Sequence, residues 1–144
     1  MRLDRAERVL RAVCSDKFDP ATGRVAKSLF KGAEISLSRL RIVSLPKQWP
    51  LLASTVQKLP GRRLERLGEI GVDRIEDIGA AYRTDERGCP AALKVVADPL
   101  PHNEAHAIIV EEIKSDALAR ALVAELRLHE PPLGFVAENV ARVF

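Results

Sequence analysis

Two short apolar runs, Ala91–Ala97 and Ala105–Val110, flank a polar connection carrying Pro99 and Pro101, and this pairing constrains the fold more than any other feature. Both runs are far too short to cross a bilayer, which takes about 20 apolar residues. The apolar residues of the first stay nearly consecutive, as in a central strand covered on both faces. Ile35–Leu45 adds a third candidate, because it opens with alternating apolar and polar residues. Its phase changes near Arg39, which predicts a bulge or a break into two strands. The expected fold class is therefore α+β: a small mixed or antiparallel sheet from regions 35–45, 91–98 and 106–112, packed against several helices, with strand order unresolved.

Helical spacing supplies the other layer. Leu3, Ala6, Val9, Leu10 and Val13 predict an amphipathic helix over residues 3–14, with Arg2, Arg5, Arg8 and Arg11 on its solvent side. Pro46 and Pro50 close the preceding element, and Trp49, Leu52, Ala53 and Val56 share one helical face. Trp49 is thus a core anchor more than a platform for a nucleobase. Val72, Ile75, Ile78 and Ala81 predict a plain amphipathic helix started by Asp73, in preference to a helix-hairpin-helix at Leu64–Ile78, whose acidic turn would repel a phosphate backbone. A last helix opens at Ser115 and runs toward His129, stopped by Pro131 and Pro132. Phe18–Gly23 reads as a turn.

With 144 residues, 47% of them hydrophobic and 30% charged, the chain suits one compact domain spanning 1–144. Met1–Arg11 is charged where a signal peptide has an apolar core, so a cytoplasmic protein without a membrane partner is expected. Cys14 and Cys89 are too far apart for a paired ligand motif and read as reduced thiols.

The formal charge of +3 hides a separation: residues 1–66 carry +9 and residues 67–144 carry −6. Two outcomes follow. The basic half forms a phosphate-attracting surface, or the halves neutralise one another by packing together. Arg8, Arg24, Lys27, Arg39 and Arg41 are the candidate phosphate-binding residues of the first outcome, and Arg11 could reach the same ligand. There is no Walker A spacing around Gly23.

Two of the three histidines lie in Asp98–Ala107. His102 and His106 share a side whether that segment is helical or extended. Imidazoles are suited to proton transfer near neutral pH. His102, His106 and Glu104 are accordingly the candidate catalytic residues, Glu104 orienting an imidazole, while Asn103 orients the ligand. A metal would need Asp98, Glu104 or a remote residue as a further donor, and no metal or cofactor is expected. The resulting expectation is a protein that binds RNA or another phosphate-rich partner, with metal-independent phosphodiesterase activity. Its alternative is a noncatalytic module that binds an acidic protein, or a small oligomeric regulatory component. The apolar tail 133–144 would dock within its own chain or build a homo-oligomer.

Overall fold

The computed structural model describes residues 1–56 and 61–135, and at its centre lies a strand that helical spacing disguises. In chain order the elements are β1 (Arg8–Cys14), β2 (Phe18–Asp19), β3 (Arg24–Val25), β4 (Ile35–Arg39), α1 (Leu45–Val56), β5 (Leu64–Gly71), α2 (Val72–Tyr82), β6 (Val95–Ala97), β7 (His106–Ile109), α3 (Asp116–Glu125) and β8 (Arg127–His129). Six strands form one antiparallel sheet of order β6-β7-β4-β1-β5-β8, and β2 pairs with β3 in a small hairpin of its own. Among the described residues, three helices complete an α+β fold, the class expected from the sequence, with the antiparallel form of the two that it left open.

Strand β1 corrects the helix expected over residues 3–14. Cross-strand partners share a face of a sheet, and both faces of β1 are covered. Val9 and Val13 point to a core with Ile35, Leu37, Ile70, Ala107 and Ile109, closed by Ile75 and Ile78 of α2 and Leu118 and Leu122 of α3. Leu10 points the other way, to a second core where Leu64 and Leu67 meet Trp49 and Ala53 of α1. Trp49 is 2% exposed and is the anchor its neighbours predicted. A strand buried on both faces has apolar neighbours in sequence, and that pattern imitates helical spacing.

Strand β5 corrects the helix-hairpin-helix alternative for the same reason. It pairs with β1 from Arg8↔Gly71 to Cys14↔Leu64, with a register shift between Val13 and Cys14 that turns both Leu64 and Leu67 toward α1. The chain then enters α2 directly, close to where Asp73 predicted a helix start. Ser115 accepts a hydrogen bond from the Leu118 N–H and starts α3 as expected. The helix ends at Glu125, however, and residues 127–129 add an edge strand where a continuing helix was expected. The region 91–98 contributes only Val95–Ala97, at the opposite edge of the sheet and not its centre. Region 35–45 is one strand, followed by a turn into α1, whose first turn accommodates Pro46 and which continues through Pro50.

The helices divide the two faces unequally. On one side α2, α3 and the short 3-10 segment Lys27–Phe30 cover the sheet. On the other, α1 covers the β1–β5 end, leaving Ser36 and His106 on a part of that face beside it. Phe135 packs on Trp49 with ring centroids 5.6 Å apart. The rest of the expected tail contact, residues 136–144, lies outside the described residues. Among the described residues, no helix is long and apolar enough to cross a membrane.

Candidate active site

The partly covered face opens into a cleft of about 250 Å³ between α1, strands β1, β4 and β7, and the loop before β7. Leu10, Ala12, Leu52, Val56 and Leu100 give it apolar walls; Ser36, Arg11, Arg62, His102, Asn103 and His106 give it polar ones. Register explains how His106 arrives there. It pairs with Ser38, and Leu37 pairs with Ala107, so His106, Ser38 and Ser36 share the face away from the main core.

His106 is held from both ends. Its Nδ1 lies 2.9 Å from the Asp98 carbonyl oxygen and 3.1 Å from the Asp98 carboxylate. Its Nε2 lies 3.1 Å from Ser36 Oγ. Both neighbours of Nδ1 are acceptors, so Nδ1 carries the proton of the neutral ring. Nε2 is then left as an acceptor, and the Ser36 hydroxyl donates to it. The result is an aligned carboxylate, imidazole and hydroxyl, with Ser36 exposed at the mouth of the cleft.

Arg11 supplies the charge. Pairing of β1 with β4 is confined to Val9 and Leu10, and beyond it the Arg11 guanidinium takes over as donor to β4. Nη1 donates to the Ser36 carbonyl at 3.1 Å, while Nε and Nη2 donate to the Leu29 carbonyl at 3.2 and 2.9 Å. No carboxylate pairs with Arg11 among the described residues. Burial pushes its pKa down to about 10, so it remains cationic at neutral pH with two of its five N–H groups outside those bonds. Arg62, beside it, donates to Asp16 at 3.0 Å, which raises the arginine and lowers the carboxyl from their ordinary values. A smaller adjoining cavity shares Arg11 and Arg62 and adds Lys17, whose ammonium donates to Ser28 Oγ at 2.9 Å.

A buried polar network fixes the cleft's frame. Ser38 Oγ donates to Gln48 Oε1 at 2.6 Å, and Gln48 Nε2 donates to the carbonyls of Arg39 and Val43. Asn103 accepts from the Ala105 N–H at 2.9 Å and reaches Ser38 Oγ at 3.4 Å. Strand β4, α1 and the loop carrying His102 are thereby tied at one point.

Of the residues expected from sequence, His102, Asn103 and His106 meet at the cleft. Asn103 lines it, but its amide is engaged in holding the loop. Glu104 is exposed and does not line the cleft; the carboxylate that orients an imidazole is Asp98. The five expected phosphate-binding residues lie elsewhere. Arg39 is buried and forms two hydrogen bonds to the Glu7 carboxylate, at 2.8 and 2.9 Å. Arg8 pairs with Glu69, Lys27 pairs with Asp116 at 2.9 Å, and Arg24 sits on the β2–β3 hairpin. Arg41 lines a shallow depression with Arg8. Arg11, expected to reach a phosphate from a helix, does line the cleft, but from strand β1, whereas Ser36 and Arg62 were missed. Their one signal was polar residues interrupting otherwise apolar segments, and it becomes readable only once β1 is known to be a strand.

Among the described residues, no group of three or more His, Cys, Asp or Glu side chains is arranged to hold a metal ion. The chain matches no family model, no curated protein and no solved structure, so its geometry carries the functional argument.

Proposed function

We propose that the cleft binds a phosphodiester and cleaves it by acid–base catalysis, with RNA as the first substrate to test. One observation carries this reading: two imidazoles line the same cleft as a guanidinium that has no carboxylate partner among the described residues. Phosphodiester cleavage needs a base for the attacking hydroxyl, an acid for the leaving oxygen and positive charge for the phosphoryl oxygens. His106 is the base, because Asp98 and the Asp98 carbonyl keep its proton on Nδ1 and leave Nε2 as the acceptor, facing the Ser36 hydroxyl. His102, on the adjoining loop, is the acid. Arg11 and Arg62 hold the phosphoryl oxygens, and Leu52, Val56 and Leu100 receive the apolar face of a base or sugar.

The dimensions favour a single nucleotide unit over an extended duplex. The cleft is small, and many cations outside it are already engaged by carboxylates. Purified protein incubated with a panel of single-stranded RNAs should cleave at least one. His106→Ala and His102→Ala should each abolish cleavage while keeping the wild-type circular dichroism spectrum. Cleavage by the folded double variant at the wild-type rate would remove both histidines from the mechanism.

A further inference from the structure

We infer that Ser36 is the nucleophile of this site, which would make the protein act through a phosphoseryl intermediate and extend its substrates to phosphodiesters with no neighbouring hydroxyl. This rests on the phosphodiester reading above but asks a separate question, namely which oxygen attacks. In RNA the ribose hydroxyl can do so, and a histidine base is then sufficient. Here the hydroxyl already aligned with the base belongs to the protein.

Three features support Ser36. Its Oγ lies 3.1 Å from His106 Nε2, the nitrogen that must be the acceptor in the neutral ring. The opposite ring nitrogen meets the Asp98 carboxylate at 3.1 Å, which stabilises the imidazolium formed when the serine proton is taken up. Arg11 binds the Ser36 carbonyl at 3.1 Å, so a cation with no carboxylate partner among the described residues sits beside the attacking residue. A structural role alone leaves this unexplained: Ser36 is exposed, and a hydroxyl in water does not need an imidazole partner.

The chemistry balances in two steps. Ser36 Oγ attacks phosphorus and forms the O–P bond while its proton passes to His106 Nε2. The ester oxygen departs with its bonding pair and takes a proton from the His102 imidazolium. In the second step water attacks the phosphoserine and gives its proton to His102. Ser36 Oγ leaves phosphorus and recovers the proton held by His106. Both histidines return to their starting states, and the net reaction is hydrolysis of one ester bond.

The test uses two probes on the full chain. Diisopropyl fluorophosphate traps a reactive serine with loss of fluoride, and intact-mass followed by peptide mass spectrometry locates the adduct. Bis-p-nitrophenyl phosphate is a phosphodiester without a hydroxyl, and its turnover is read by released nitrophenolate. The expected result is a single adduct at Ser36, absent from Ser36→Ala and His106→Ala, with turnover reduced at least about 100-fold in Ser36→Ala. Ser36 is exposed, so its alanine variant should melt with the wild type. RNA cleavage that survives in Ser36→Ala, with no adduct in the wild type, would overturn the inference and leave the proposed function standing. An adduct at Ser36 without RNA cleavage would support the nucleophile and overturn RNA as substrate. Neither cleavage nor adduct would overturn both.

Discussion

His106 shows how a single side chain acquires a direction. Two acceptors at Nδ1 decide the tautomer, and one of them is the main-chain carbonyl of Asp98, which no substitution of that residue removes. Asp98→Asn should therefore cost less activity than His106→Ala, whose loss of a general base is worth about 10²–10⁴-fold in kcat. Side-by-side kcat values on the same RNA check the order, and equal losses would mean that the main-chain carbonyl cannot hold the tautomer without the carboxylate. Glu7 and Arg39 present the opposite case, a buried charged pair remote from any proton transfer, with side chains 4% and 10% exposed. Removing either partner leaves an uncompensated charge inside the protein. Arg39→Ala and Glu7→Ala should each destabilise by about 3–5 kcal/mol, and replacing both by apolar residues should recover much of that, as urea denaturation of the three variants would show.

Helix α2 depends on a missing side chain. A Cβ at Gly79 would collide with the backbone nitrogen and side chain of Leu93, so the helix packs against the segment leading to β6 only because that position is glycine. Elsewhere in a helix Gly→Ala gains roughly 0.5–1 kcal/mol. Here Gly79→Ala should lose about 1–3 kcal/mol by overpacking, a reversal of sign that thermal melting would register. The elements that could be read from sequence are those with one buried face or a clear cap: α2 from Val72, Ile75 and Ile78, α3 from Ser115, and the start of β4 from its alternation. Strands β1 and β5 could not, because Val9 beside Leu10 and the bulge that aligns Leu64 with Leu67 produce spacings near three. The site divides the same way. The polar connection marked His102 and His106, but Arg11 enters the cleft only because β1 is a strand that parts from β4. Likewise Asp98 becomes the orienting carboxylate through the return of the chain into β7.

Across the molecule, the separated charges of the sequence meet one another. Arg2 and Arg5 pair with Glu76, Arg5 with Asp77, Arg8 with Glu69, and Lys27 with Asp116. The pairs exposed on both sides, Arg5 with Asp77 and Lys27 with Asp116, contribute little stability each, whereas Glu76 and Glu69 are buried partners whose charge the arginines compensate. The larger consequence of these pairs is to consume much of the basic half's charge, so that the half-buried Arg11 becomes a distinct attraction for an anion. They also set the acid response. Hydrogen bonds from Lys31 and Lys27 hold the Asp116 carboxyl at about 2. Burial pushes Glu69 up, but hydrogen bonds from Arg8 and His129 outweigh it and leave the group below its ordinary value. A depressed carboxyl stabilises the fold above its unfolded value and loses that contribution as pH falls through its folded one. The Tm gap between wild type and Asp116→Asn should thus be full at neutral pH, shrink below about pH 4 and vanish once the pH falls below about 2. A gap that persists at that pH would separate Asp116 from the acid transition.

The three histidines allow the cleft itself to be tested in one titration. His102 and His106 line it, whereas His129 lies on β8 at the other end of the sheet, 2.7 Å from Glu69. Uridine monophosphate added to protein carrying nitrogen-15 histidine should shift the ring-nitrogen resonances of His102 and His106 along a saturable curve. Those of His129 should stay in place, and Arg62→Ala should weaken the curve. Ring resonances of His102 and His106 that do not move, or a shift of His129 as large as theirs, would contradict a phosphate-binding cleft.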